Sequence, residues 1–119
     1  LYVFDLDSGE ERAITSDGGG TIAYGMAEFV AQEEMDRSDG FWFAPDDNAI
    51  AYQRYDESPV PVTQRFEISG DSVTVVDQRY PFAGEDNVLV ELHVRYLSDG
   101  TSAQIDLGEE TDIYLARVN

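Results

Sequence analysis

Cysteine is absent from the 119 residues. Neither a disulfide framework nor a thiolate metal site is therefore available, and thiols say nothing about redox compartment. Lysine is absent as well, and the seven arginines stand against 25 acidic side chains, for a formal net charge of -18. Such a chain repels phosphate backbones and anionic membrane surfaces at low salt, which argues against nucleic acid as a partner. The acids are spread as singles and pairs, the pattern of a solvated globular surface or a high-salt habitat and not of a disordered acidic arm. No apolar run approaches the roughly 20 residues that span a bilayer, and no basic and then apolar leader occurs at Leu1. The chain starts without Met and stops in Tyr114-Leu115-Ala116-Arg117-Val118-Asn119, which reads as an unfinished strand. The expectation is that both ends are cut and that any leader lies upstream.

What is present is mostly strand. Apolar residues recur at every second position in segments bounded by Gly, Asp, Asn or Ser. Four hairpins are predicted. Leu1 to Leu6 and Glu11 to Thr15 flank Asp7-Ser8-Gly9-Glu10, and Phe41 to Ala44 and Ala49 to Arg54 flank Pro45-Asp46-Asp47-Asn48. Val62 to Ser69 and Ser72 to Tyr80 surround Gly70-Asp71, and Val88 to Leu97 with Thr101 to Leu107 surround Ser98-Asp99-Gly100. Val88, Val90, Leu92, Val94 and Tyr96 share one face, expected to be buried. A single helix is predicted from about Ala27 to Asp36, where Met26, Phe29 and Val30 recur at helical spacing among good helix formers.

Leu1 to Gly9 and Leu92 to Gly100 share the pattern Leu-x-Val-x-x-Leu-x-x-Gly. This echo fits either corresponding strands of successive propeller blades or two ordinary hairpins alike by chance. Other motifs read as a turn at Asp5 to Gly9, a flexible connection at Gly18 to Gly20 and an exposed bend at Glu109-Glu110. Asp5-Leu6-Asp7-Ser8-Gly9 lacks the later ligands of a calcium loop. Gly18-Gly19-Gly20 lacks the lysine and helix of a phosphate loop.

The adjacent carboxylates Glu33 and Glu34 sit in the helix-forming stretch just ahead of the aromatic strand Phe41-Trp42-Phe43. By spacing alone they are a solvated helix face, since neighbouring helical residues project about 100° apart. They can still converge on one ligand if the chain turns at the helix end. The surrounding residues favour that reading. Glu33-Glu34-Met35, Trp42-Phe43-Ala44-Pro45-Asp46, Ile50-Ala51-Tyr52, Asp56-Glu57-Ser58-Pro59-Val60-Pro61, Tyr80-Pro81-Phe82-Ala83-Gly84 with Asn87, and Thr111-Asp112-Ile113-Tyr114-Leu115 occur in this order. The series resembles the N-terminal region of the dipeptidyl peptidase IV family of serine peptidases, over nearly the whole chain. Three positions depart from the family's pattern. Gln32 stands where many relatives carry a third glutamate, Phe43 replaces a Trp, and Ala44 replaces a Ser.

The resemblance implies a mainly β fold. Residues 1–119 would be part of an N-terminal β-propeller domain, about one blade with parts of its neighbours, one short helix and an extended hairpin arm. It also implies that Glu33 and Glu34 bind the free amino terminus of a peptide, which an ammonium with three donors and one charge suits. Amine binding would weaken as falling pH protonates the carboxylates. The arm, with Phe66, Ile68, Val73, Val75 and Tyr80, would pair with a second copy to form a homodimer, the alternative being a hairpin folded back on its own blade. No cofactor or metal is implied, and the family suggests a periplasmic or secreted location.

The catalytic serine, aspartate and histidine of the family lie in a separate C-terminal α/β-hydrolase domain, so this stretch by itself should be inactive. Gly70-Asp71-Ser72-Val73-Thr74 lacks the last glycine of the Gly-x-Ser-x-Gly elbow, and His93 lies opposite an apolar strand face, which suits a packing or surface role. The family's arginine for the substrate carbonyl has no counterpart here. The competing expectation is a non-catalytic β-rich interaction module whose acidic pair binds another cation or a protein.

Overall fold

In the computed structural model, which describes residues 1–119, the architecture is organised by one strand. Its sequence, Ala-Ile-Ala-Tyr-Gln-Arg-Tyr-Asp, places Ile50, Tyr52 and Tyr55 among its buried residues and follows a tight turn. The elements run β1 (Tyr2–Phe4), β2 (Glu11–Ala13), β3 (Ile22–Tyr24), α1 (Phe29–Glu34), β4 (Phe41–Phe43), β5 (Ala49–Asp56), β6 (Val62–Ile68), β7 (Val73–Arg79), β8 (Leu89–Tyr96) and β9 (Ser102–Ile105). Strand β5 pairs antiparallel with β8 along its whole length, from Ala49 opposite Tyr96 to Asp56 opposite Leu89. Strand β8 pairs in turn with β9.

The other edge of β5 carries β3 and β4 end to end. Ile22 to Tyr24 lie opposite Asp56 to Arg54, and Phe41 to Phe43 opposite Tyr52 to Ile50. Between them the Gly25 N–H donates to the Gln53 carbonyl (2.9 Å), and the Gln53 N–H donates to the Gly40 carbonyl (2.7 Å). β3 and β4 are thus two halves of one edge strand, and residues 26–39 are an excursion from it. The neck is closed by Gly40 N–H to Gly25 carbonyl (3.2 Å) and Ala27 N–H to Ser38 carbonyl (2.9 Å). Gly25 has φ +70, and a Cβ on Gly40 would lie 2.5 Å from the Met26 carbonyl oxygen, so the backbones approach too closely for a side chain.

The predicted hairpins form at their predicted turns. Asp46 accepts from the Asn48 backbone and side-chain amides (3.2 and 2.8 Å), with Asp47 left-handed at φ +57. Gly18-Gly19-Gly20 is a tight turn, closed by reciprocal backbone bonds between Gly19 and Ile22. The echo in the sequence is an echo in structure. Gly9 and Gly100 have φ +74 and +73, and each donates to the carbonyl four residues back, Asp5 and Tyr96. The same two residues donate the hairpin-closing bond, Asp5 N–H to the Glu10 carbonyl and Tyr96 N–H to the Thr101 carbonyl. The β1–β2 and β8–β9 hairpins thus share one turn geometry. The fold is mainly β, with open sheets and a separate arm made of β6 and β7.

Burial is sparse: 12 residues are buried, including Ile50, Tyr52, Tyr55, Val60, Val88 and Leu92. The Cα radius of gyration is 17.0 Å, against roughly 13–14 Å for a compact chain of this length. Two expectations are corrected. Of the apolar face predicted along Val88 to Tyr96, Val88 and Leu92 are buried, but Tyr96 is 48% exposed because it lies at the hairpin end. The helix is shorter than Ala27 to Asp36, since Ala27 is held in the neck and Asp36 turns the chain at φ +49.

Turn chemistry accounts for part of the acidity. Asp5, Asp56, Asp99 and Asp106 accept backbone N–H groups two residues on, at 2.8–3.0 Å. The bonds from Thr101, backbone N–H first and hydroxyl second, hold the Asp99 carboxyl below its usual range. A depressed carboxyl stabilises the fold above its unfolded value and loses that contribution as pH falls below about 3.8. Asp99→Asn keeps an acceptor that does not titrate. The stability difference between parent and variant, from thermal unfolding at stepped pH, should be constant near neutrality and move in the variant's favour below pH 4. At the neck, Gly40→Ala should lower stability by about 1–3 kcal/mol in urea unfolding, because backbone and not a flexible side chain meets the new methyl. An unchanged midpoint would mean that the neck opens freely.

Candidate functional site

Helix α1 is carried at the tip of the excursion. Glu28 precedes it in extended conformation (φ -72, ψ 168) without a side-chain cap, and Ala27 and Ala31 turn their small side chains inward at 0% exposure. The Gln32 amide donates to the Ala27 carbonyl at 2.6 Å, a bond that an ionised glutamate at this position could not make. Phe29 packs edge-on against Tyr80, with centroids 5.3 Å apart. At the far end, Met35 N–H and Arg37 N–H both donate to the Ala31 carbonyl at 3.2 Å, and Asp36 reverses the chain.

Glu33 and Glu34 occupy the last helical turn. Both are exposed, and neither side chain makes a hydrogen bond or ion pair within the chain. They stand at the helix's negative end, where a cation is favoured. Arg37, three residues beyond Glu34, does not neutralise them because its guanidinium is turned inward. Its Nη1 donates to the Asp39 carbonyl (2.7 Å), and its Nη2 to Gln53 Oε1 (2.9 Å), the Leu115 carbonyl (2.7 Å) and Glu28 Oε2 (3.4 Å). The guanidinium also lies 5.7 Å from the centroid of the Trp42 ring. Gln53, fully buried, donates through Nε2 to Glu28 Oε2 at 2.7 Å. Only one amide orientation satisfies both neighbours, since a guanidinium only donates and a carboxylate only accepts.

Glu28, Arg37 and Gln53 were not among the residues singled out from the sequence. A signal was present in Gln53, a polar residue amid the apolar run of β5, but its partners are distant in sequence. Of the predicted arm residues, Phe66, Ile68, Val73 and Val75 share one face of the hairpin, as opposed pairs Phe66–Val75 and Ile68–Val73, and are 50–78% exposed. Tyr80 lies at the arm's base, half-buried between Phe29 and Phe82. His93 stacks on Tyr52 (5.6 Å, 15° between planes), and its Nε2 lies 2.8 Å from Glu91 Oε2. Glu91 also takes Arg54 Nη1 at 3.0 Å, so this group is cross-strand pairing on the sheet surface. Asp5 serves its turn.

Comparison with known proteins identifies the family and the fold. The profile described as the dipeptidyl peptidase IV (DPP IV) N-terminal region matches residues 1–119. Among curated relatives, a probable dipeptidyl peptidase 4 from Emericella nidulans is 32% identical, covering 92% of this chain and 15% of its own length. A probable dipeptidyl-aminopeptidase B from Pyrenophora tritici-repentis is 33% identical, covering 99% of this chain and 13% of its own. The chain therefore spans about one seventh of the length of such relatives. The crystal structure of Porphyromonas gingivalis dipeptidyl peptidase 4 superposes with a TM-score of 0.82 at 26% identity, over 93% of this chain and 16% of that one. A putative dipeptidyl aminopeptidase IV from Bacteroides ovatus shares the fold, with a TM-score of 0.69. With its propeller-blade sheet, its interrupted edge strand and a profile match from first residue to last, the chain belongs to the dipeptidyl peptidase IV family, within that family's N-terminal region.

Proposed function

We propose that residues 1–119 are part of the N-terminal β-propeller domain of a serine exopeptidase that releases dipeptides, and that Glu33 and Glu34 bind the free ammonium of its peptide substrate. One observation carries this reading: two neighbouring carboxylates face solvent with no protein partner, while the nearest guanidinium is held inward by Glu28, Gln53 and two backbone carbonyls. A blocked or internal peptide nitrogen has neither the charge nor the donors to replace an ammonium there. Fixing the amine would set how many residues reach a nucleophile in the C-terminal hydrolase domain of the same parent chain. The acyl-enzyme formed there would retain a dipeptide. The four exposed apolar residues of the arm, Phe66, Ile68, Val73 and Val75, support a role for β6 and β7 in a homodimer, with Tyr80 anchoring the arm to Phe29.

Each charge-assisted bond from the ammonium contributes about 1.5–3 kcal/mol. In the full-length enzyme, Glu33→Gln or Glu34→Gln should therefore raise KM for free-amine peptides about 10- to 150-fold, with little change in thermal midpoint. Full activity in both variants would remove the assignment. Because the α-amino group loses its proton around pH 7.7–8.0, kcat/KM of the parent should fall above about pH 8 for such peptides. That fall should be shallower in the double Gln variant, as steady-state kinetics across pH would report.

A further inference from the structure

Glu28 and Arg37 flank the excursion, one at each foot, and Gln53 reaches between them from the central strand. All three are buried or nearly so: the side-chain exposures of Glu28 and Arg37 are 1% and 11%, and Gln53 is at 0%. The group is not arranged for maximal stability. Glu28 Oε1 and Arg37 Nε are buried without a partner, and the direct ion-pair contact is 3.4 Å, longer than either bond to Gln53. Buried ion pairs are often replaceable by apolar side chains without loss of stability, and their firmer use is to fix one conformation against others. Here the conformation fixed is the entry and exit of a loop whose tip carries the two carboxylates. Ala31 is the hinge point of the same geometry, since its carbonyl takes the N–H of both Met35 and Arg37 and so joins the helix end to the clamp. The Arg37 bond to the Leu115 carbonyl at 2.7 Å adds a fourth chain segment, beyond β9.

We infer that Glu28, Arg37 and Gln53 form a positioning clamp that aims Glu33 and Glu34, with Arg37 as its hub, and that its loss weakens amine recognition rather than the fold. The inference rests on the amine-binding reading above. A displacement on the order of 1 Å in a binding constellation reduces rate by as much as about 100-fold, so a loosened clamp is felt at the tip without any direct contact to substrate.

The test uses the full-length enzyme with all three residues replaced by apolar ones, Glu28→Leu, Arg37→Met and Gln53→Leu, together with the milder Arg37→Lys. Arg37→Lys keeps a charge beside Glu28 but lacks the planar fork that spans Gln53, Leu115 and Asp39. The expected result is a KM for free-amine peptides raised about tenfold or more, with kcat changed less than about threefold. The rate at which an amine-free organophosphonate blocks the catalytic serine should be unchanged. Adding Glu33→Gln to the triple variant should then have much less effect than in the parent, since one function is lost twice. A folded triple variant with parental KM, or full additivity with Glu33→Gln, overturns the clamp. Should the triple variant not fold, Arg37→Lys decides: a raised KM at parental thermal midpoint supports the clamp, and a parental KM overturns it. If Glu33→Gln and Glu34→Gln raise KM while the clamp variants do not, only the clamp falls. If those two Gln variants themselves leave KM unchanged, the amine-binding reading falls first.

Discussion

Every polar group of Gln53 is committed to the neck of one loop. Its backbone N–H and C=O pair with Gly40 and Gly25, and its side-chain amide joins Arg37 to Glu28. This residue stands where β5 would meet the centre of an unbroken edge strand, and the chain instead leaves the sheet on one side of it and returns on the other. The interruption keeps the ladder continuous, because no hydrogen-bonding position of β5 is forfeited, while residues 26–39 are free to project. A strand edge has become a rigid mount. Two glycines make it possible, one by its left-handed backbone and the other by leaving no side chain between the two arms of the neck.

The mount explains how an acidic pair can be both exposed and fixed. A six-residue helix is too short to be stable on its own propensity, and α1 has neither a side-chain cap nor an acidic residue in its first turn. It is held instead by Ala27 and Ala31 packing inward, by the Gln32 amide on the Ala27 carbonyl, by Phe29 on Tyr80 and by the clamp at its feet. With Arg37 committed inward, the negative charge at the tip is left uncompensated. The contact from Phe29 to Tyr80 also ties this loop to the base of the β6–β7 arm, so the two features proposed to have separate functions share a foundation.

Hairpins were legible in the sequence because their information is local. Asp and Gly at fixed offsets specify the turns, and alternation sets the strands. Even the resemblance of Leu1 to Gly9 and Leu92 to Gly100 proved to be one turn geometry used twice. The acidic pair and its helix were legible as well, though not the helix ends, which are set by the neck and by Asp36 rather than by propensity. What could not be read was non-local. That β3 and β4 share a partner strand depends on pairing with residues far along the chain. Arg37 looks like any exposed arginine until its guanidinium is seen to donate to the Leu115 carbonyl, 78 positions later. Glu28 looks like a helix-starting acid, yet it is among the most deeply buried side chains in the molecule. Tyr96 went the other way, apolar by pattern and exposed by position, since periodicity reports which face a residue shares and not whether anything covers it.

The proposed role of the loop is to hold an ammonium between Glu33 and Glu34. The most direct measurement is a crystal structure of the full-length enzyme with a free-amine dipeptide product bound. The account predicts the terminal nitrogen about 2.7–2.9 Å from carboxylate oxygens of both Glu33 and Glu34, with Arg37 still turned inward to Gln53. A dipeptide whose amino group binds elsewhere, with either glutamate left in open solvent, would contradict it.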